Sequence, residues 1–332
     1  MNILWVLLLP GVLSEKLSSE ENKLLKQHCR EPSLGLRSPA AGRGYNRRFI
    51  SIGDPSQFPF VAALNTRSET IKTYFDKEYV VTEMTVQPFC SGVQISPRHI
   101  LTAAHCFFNH SGIKSYYDER GEHFCRIDGL VKEEDSSHLV VNLGSSCDTG
   151  YHCWVSQPYY GHKEVLIHPD YDHCNGANDL ALIELKQKVS LKHGQPICMP
   201  DAQEWISTPL IAAGYGINNS DTKYSPGQQK VTYYEHSEKD KMITTHPSAQ
   251  TICKGDSGGP LFQSNHQGKY VLLGISSSFS GENVKCVPGK HNHFVDVRKK
   301  LDWICENTGV CPIEEESEQQ SNGEEEDYSY DS

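Results

Sequence analysis

No apolar stretch in this 332-residue chain is long enough to cross a bilayer, because a spanning helix needs about 20 predominantly apolar residues. The one apolar run of note, within residues 1–14, is short and carries no Lys or Arg. It ends with Val12 and Ser14 at the small-residue spacing of a cleavage site, so it reads as a signal peptide removed from an exported chain. Paired C-x-x-C spacing is also absent among the 12 cysteines. That disfavours metal and redox motifs, and an even cysteine set in an exported protein is expected to form disulfides. There is no basic stripe of the kind that binds nucleic acid, and no internal repeat. The formal net charge of −11 is concentrated at the end: residues 312–332 hold nine acids and no base, which leaves 33 acids against 31 bases elsewhere. The body of the protein is near neutral, and no membrane or nucleic-acid partner is expected.

What is present divides the chain into four parts. After the leader, Ser18 and Glu21 have the spacing of a capping box at the start of a short amphipathic helix. Beyond Cys29 the chain becomes rich in Gly, Pro, Ser and Arg, the composition of an exposed, protease-sensitive linker. Residues 15–48 therefore read as a pro-segment. From Phe58 onward, short apolar runs recur between turn signals: 60–64, 93–95, 139–143, 180–185 and 270–275. Many short strands predict an all-β sandwich or barrel in residues 49–311. Phe294, Val297, Leu301 and Ile304, spaced by three and four, predict a C-terminal helix. The acidic segment 312–332 lacks the apolar content to fold and is expected to be disordered.

The stretch Gly255-Asp256-Ser257-Gly258-Gly259 poses the functional question, since a serine among glycines is ordinarily just a turn. It also fits the G-x-S-x-G elbow of α/β-hydrolases. That fold needs an acid and a histidine downstream, and too little chain remains after Ser257 for the rest of its sheet. Upstream, however, His105 lies in Leu101-Thr102-Ala103-Ala104-His105-Cys106, and Asp179 lies in Asn178-Asp179-Leu180-Ala181-Leu182. A serine hydroxyl needs a base to take its proton, and that base needs an orienting acid. The order His, Asp, Ser supplies both. His291-Asn292-His293 offers no third ligand at fixed spacing, so neither a metal nor another cofactor is expected. The loop 147–153 has one carboxylate, too few oxygens for calcium.

Five ordered blocks carry a resemblance: Cys90-Ser91-Gly92 with Thr102-Ala103-Ala104-His105-Cys106, Asn178-Asp179-Leu180-Ala181-Leu182, Pro196-Ile197-Cys198-Met199-Pro200, Gly214-Tyr215-Gly216 and Gly255-Asp256-Ser257-Gly258-Gly259-Pro260. Across roughly residues 50–305 the chain resembles the chymotrypsin/trypsin-like serine proteases, in the manner of a divergent, nematode-type secreted branch. The resemblance implies two six-stranded antiparallel β-barrels, a C-terminal helix and a site between the barrels. It implies a secreted endopeptidase, made as a zymogen, that cuts protein or peptide substrates through an acyl-enzyme and meets an activating protease and protein inhibitors. The alternative is a catalytically silent protease-fold binding or regulatory protein. By position, His105 is the general base, Asp179 orients it and Ser257 is the nucleophile. The N–H groups of Gly255 and Ser257 form the oxyanion hole.

Further roles follow from the same resemblance. Ser277, or as the second choice Ser276, stands beside the aspartate; Ser277 is grouped with Thr251 and Phe279 around the specificity pocket, whose wall is Ser278 or Phe279. Thr251 takes the place of the acid found in trypsins, and a buried cation without a partner is costly, so specificity for Lys or Arg is not expected. Asp256 is the carboxylate that pairs with a new N-terminus, and Arg47-Arg48 supplies the cut that presents Phe49. The disulfides implied are Cys90–Cys106, Cys253–Cys286 and Cys29–Cys198. Thr244 occurs where the family usually has a cysteine. Proximity suggests Cys147 with Cys153 and Cys305 with Cys311, which leaves Cys125 for Cys174; at the level of sequence these three pairings stay open. The interval between His105 and Asp179 is longer than the family pattern and places an insertion beside the cleft. Asn109 and Asn218 open N-glycosylation sequons.

Overall fold

A computed structural model describes residues 15–29, 51–52, 57–74, 79–109, 113–117, 119–120, 123–127, 132–133, 135–145, 147, 150–217, 225–246, 251–277, 289 and 291–312. The leader, the linker with Arg47 and Arg48, the acidic segment beyond 312, and the positions Asn218, Phe279 and Cys286 lie outside the described residues.

The apolar runs are strands, because their alternating and continuous branched side chains suit a pleated, buried surface. Six of them, Tyr160–Ile167, Ala181–Leu185, His99–Thr102, Tyr79–Gln94, Val61–Tyr74 and Leu139–Leu143 in spatial order, close into an antiparallel barrel. A second, curled sheet has eight strands in the order Ser51–Ile52, Gln229–Tyr233, Leu210–Gly214, Pro260–Ser264, Tyr270–Ser276, Asn292–Asp296, Met242–Thr245 and His236–Lys239. Among the described residues its two end strands do not pair with each other. This is the chymotrypsin-like fold, with one barrel closed and the other half an open, curled sheet. Phe58, Phe60, Phe262 and Tyr270 join the halves, their rings meeting edge to face at 5.1 to 5.9 Å. Each such contact adds about 0.5–1.5 kcal/mol beyond the area it buries.

Two elements differ from the sequence reading. Val61–Tyr74 and Tyr79–Gln94 form one hairpin far longer than the apolar runs at its base, since the polar outer half, Asn65↔Pro88 to Tyr74↔Tyr79, pairs as well. The C-terminal helical period also starts too early. Phe294 belongs to the strand Asn292–Asp296 and Val297 to a 3₁₀ turn, Val297–Lys299, opened by the Arg298 N–H donating to the Asp296 side chain. Only Leu301–Thr308 is an α-helix. The 294-to-297 spacing spans a strand end and a tight turn that both face the core, which mimics one helical stripe.

The N-terminal helix, α1 (Ser19–His28), has its capping box in place, with the Glu21 N–H donating to Ser18 Oγ at 3.2 Å and the Ser18 N–H to Glu21 Oε2 at 3.0 Å. It is bound into the domain. Asn22 Nδ2 donates to the Cys311 carbonyl at 2.9 Å, Leu17 N donates to the Thr308 carbonyl at 2.8 Å, and Cys29 is disulfide-bonded to Cys198. Gly309 has φ +74°, and a Cβ there would lie 2.3 Å from the Leu17 carbonyl oxygen, so this contact requires glycine.

Candidate active site

The strand His99–Thr102 runs into a short 3₁₀ turn, Ala104–Phe107, that carries His105. Its partner Ala181–Leu185 pairs Ala181 with Thr102, and Asp179, two residues before that partner's start, faces His105. Asn178 makes the necessary bend with φ +56°, a left-handed conformation that asparagine tolerates better than most residues. Asn178 Nδ2 donates to the Asp170 carbonyl at 2.8 Å, and the buried Lys300 ammonium bonds Asn178 Oδ1.

Asp179 is fully buried and accepts three hydrogen bonds: from His105 N at 2.8 Å, from His105 Nδ1 at 2.6 Å and from Ser277 Oγ at 2.6 Å. Burial pushes its pKa up, but the His105 charge and these donors outweigh burial and hold it below the usual carboxylate value. For His105, burial lowers the pKa, while the Asp179 charge and hydrogen bond raise it; the net shift is upward. The arrangement fixes the imidazole with its Nδ1 toward the acid and leaves Nε2 for another group.

Ser257 sits in a turn that glycines press against this frame. Gly255 and Gly258 have φ of +96° and +79°, and a Cβ on Gly258 would stand 2.0 Å from Thr102 Oγ1 and 2.9 Å from Ala103 N. The turn therefore lies directly against the segment leading to His105. Ser91 locks it: the Ser91 N–H donates to the Ser257 carbonyl at 2.8 Å, and Ser91 Oγ donates to the Gly255 carbonyl at 2.7 Å and accepts from Tyr215 N at 2.9 Å. Sequence reading passed over Ser91, Asn178 and Lys300 as site residues, although the Cys-Ser-Gly and Asn-Asp contexts were signals for the first two.

Asp256 points the other way, into the protein. Its carboxylate accepts from Gly216 N and Cys253 N, each at 2.8 Å, and glycine at 214 and 216 is required because a Cβ would lie 2.4 and 2.7 Å from the carboxylate. Burial raises its pKa to about 6 despite those two donors. Among the described residues, no cation forms a salt bridge with it.

Thr251, which the sequence reading assigns to the pocket, is buried, and its hydroxyl donates to Asn292 Oδ1 at 3.0 Å, while Asn292 Nδ2 donates to the Tyr233 hydroxyl at 3.1 Å. Thr251, Asn292 and Tyr233 thus form a neutral hydrogen-bonded network. Asn292 belongs to it and was not expected there. Ser277 lies at the aspartate, as its hydrogen bond shows.

The structure contains Cys90–Cys106, Cys29–Cys198, Cys125–Cys174, Cys147–Cys153 and Cys305–Cys311. Cys253 is also disulfide-bonded, its partner lying outside the described residues. Cys90, His105 and Cys106 bring potential ligand atoms within 4.8 Å, but both sulfurs are spent in their mutual bond. The insertion after Phe107 forms a hairpin, Ile113–Tyr117 with His123–Ile127. Cys125 ties it to Cys174, five residues before Asp179, and the Phe108 ring packs on Tyr171 and His173 at 5.7 and 4.6 Å. Asn109 of the first sequon is exposed.

Residues 137–304 match the family described as Trypsin, and residues 1–119 match the Nematode trypsin-6-like family. His105 falls in the second match, and Asp179 and Ser257 fall in the first. The chain is 28 % identical over 245 residues to coagulation factor XI of Bos taurus, covering 69 % of this chain and 35 % of that protein. It is 29 % identical over 242 residues to phenoloxidase-activating factor 3 of Holotrichia diomphalia, covering 67 % and 64 %. It is 30 % identical over 250 residues to urokinase-type plasminogen activator of Gallus gallus, covering 67 % and 51 %. The chain thus spans about one third to just under two thirds of the length of these relatives.

Proposed function

The chain belongs to the trypsin family, and from that premise we propose that it is a secreted serine endopeptidase, made as a zymogen, whose triad is His105, Asp179 and Ser257. The observation that carries this reading is the pair of hydrogen bonds from one histidine, through N and Nδ1, to the buried Asp179 carboxylate. In the proposed reaction His105 takes the Ser257 proton as the hydroxyl attacks a peptide carbonyl. The imidazolium, stabilised by Asp179, then gives that proton to the leaving amine, and water releases the acyl group by the reverse path. The N–H groups of Gly255 and Ser257 receive the developing oxyanion.

Secretion is supported by the apolar leader, by the disulfides, and by the lack of any helix among the described residues that is long and apolar enough to cross a membrane. Zymogen activation is supported by Asp256, a buried carboxylate placed next to the nucleophile and lacking a cationic partner among the described residues. The neutral floor of Thr251 and Asn292 supports preference for uncharged side chains. The proposed partners are protein substrates, an activating protease and protein inhibitors. The division into leader 1–14, pro-segment 15–48, protease domain 49–311 and acidic tail 312–332 belongs to this reading. One refinement follows: residues 15–29 stay on the domain after activation, held by Cys29–Cys198.

The test is covalent labelling with a fluorophosphonate before and after limited proteolysis. Labelling at Ser257 only after a cut supports the zymogen. No labelling after any cut would leave the chain as a protease-fold binding protein.

A further inference from the structure

Resting on the reading of residues 1–14 as a leader that is cut off after Ser14, we propose that the α-ammonium released on Glu15 is captured as an ion pair by the buried carboxylate of Glu184. The Glu15 backbone nitrogen donates to Glu184 Oε1 at 3.1 Å across 169 residues of sequence. Glu184 lies in the barrel strand Ala181–Leu185, is 4 % exposed, and receives Lys163 Nζ on the same oxygen at 2.9 Å. The Glu15 side chain meets Arg98 at 3.1 Å, and two residues later Leu17 N is bonded to the Thr308 carbonyl. Residues 15 and 17 are therefore held on the domain, with the Glu15 nitrogen aimed at a carboxylate already withdrawn from water.

Hydrolysis of the Ser14–Glu15 bond consumes one water, leaves a carboxylate on Ser14 and an amine on Glu15, and the amine takes up a proton. A peptidase of the signal-peptide class is the catalyst required, and Val12 and Ser14 have the spacing such enzymes read. An ammonium in place of the amide N–H turns a neutral donor into a charged one, and charge-assisted hydrogen bonds are about twice as strong. Among the described residues, the charged groups at the site then include the carboxylates of Glu184 and Glu15 and the cations of Lys163, Arg98 and the new terminus. Lys163 and Arg98 keep 24 % and 22 % of their side chains in solvent, which disperses the excess positive charge. His99, cross-strand from Glu184, is held neutral near physiological pH because burial drops its pKa to about 4. The site is distinct from the Asp256 carboxylate that zymogen cleavage would engage, and it uses no residue assigned to catalysis.

The experiment is independent of activity. The Ser257→Ala chain is secreted from eukaryotic cells, its N-terminus is sequenced, and the native protein is treated with acetic anhydride near neutral pH, with α-amine labelling read by peptide mass spectrometry. The expected N-terminus is Glu15, labelled at least ~10-fold more slowly than the same amine in a synthetic 15–29 peptide, since one pKa unit is a tenfold change in free amine. Glu184→Gln should bring the rate toward that of the peptide. A different first residue, or labelling of the native chain at the peptide's rate, would overturn the proposal. The comparison with the peptide stands even where Glu184→Gln fails to fold.

Discussion

The Ser277 hydroxyl donates to Oδ2 of Asp179 at 2.6 Å, the same oxygen that receives His105 Nδ1. One carboxylate oxygen is thus held between the histidine it orients and a hydroxyl from the opposite half of the molecule. Hydrogen bonds to charged groups are worth about 1.5–3 kcal/mol. Ser277→Ala should therefore lower kcat by roughly 10- to 100-fold with little change in KM. Ser257→Ala and His105→Ala should each lower it by about 10⁵- to 10⁶-fold. Steady-state kinetics on a peptide ester checks the order; equal losses in all three would show that Ser277 holds the fold rather than the acid.

The protonation of His105 sets a pH limit. The base works only when neutral, and its pKa is raised above the ordinary 6.5 by Asp179. Activity should accordingly fall on the acid side with an apparent pKa above 6.5, and recover as pH rises through that value. Asp179→Asn should move the limb to lower pH while cutting kcat by about 10⁴-fold. The measurement is kcat/KM against pH for both proteins; an acid limb unmoved in Asp179→Asn would assign it to another group.

The proposed triad residues His105, Asp179 and Ser257 stand out in the sequence because each sits in a short stretch of small or glycine-rich neighbours or just before an apolar strand. Ala103 and Ala104 are small enough to bury the turn before the base, and the glycines around Ser257 admit close backbone approach. What stayed hidden depends on approach between distant segments. Ser91 acts because Gly255 and Ser257 pack on it, Lys300 because the helix Leu301–Thr308 begins beside Asn178, and Asn292 because its side chain meets Thr251. Binary pattern says nothing of these polar contacts. The long hairpin was missed because its outer half lies beyond the continuous apolar runs and its ladder continues through Thr, Ser, Glu and Lys positions.

Specificity should follow the Thr251–Asn292 floor. A panel of peptide substrates is expected to show preference for uncharged side chains before the cleaved bond. Thr251→Asp alone should gain little toward Arg or Lys, because Asn292 already bonds the side chain at 251; Thr251→Asp with Asn292→Gly should gain more. Strong Arg preference in the unmodified enzyme would show that residue 251 does not floor the pocket.

The Cys125–Cys174 bond closes a loop of 49 residues between the insertion and the Asp179 segment. Chain-entropy reasoning assigns such a loop about 4 kcal/mol. Replacing both cysteines by serine should lower the unfolding free energy by up to that amount. It should also reduce turnover of folded protein substrates more than of short peptides, since the bond ties the hairpin to the segment five residues before Asp179. Equal loss for both substrate classes would confine the bond to stability.

Asp256 gives opposite signs before and after activation. Its folded pKa of about 6 exceeds the ordinary 3.8 because burial outweighs two N–H donors. The folded uncut chain thus binds a proton that the unfolded chain releases, so this contribution is present below pH 3.8 and is lost as pH rises from there through 6. The span amounts to about 3 kcal/mol. Urea unfolding of uncut Ser257→Ala at several pH values should show this decline, and adding Asp256→Asn should flatten it. After a cut behind Arg48, the ammonium of Phe49 is the expected partner that restores the ionised form. Phe49 and Ile50 precede Ser51, whose ladder with Lys230 is already formed, so the new terminus has a reach of only about 7 Å. In the cut enzyme Asp256→Asn should therefore abolish fluorophosphonate labelling at Ser257, and N-terminal sequencing of the labelled form should read Phe49. A labelled form beginning further upstream would mean that the ladder permits a longer terminus, and labelling in cut Asp256→Asn would rule out the ion pair altogether.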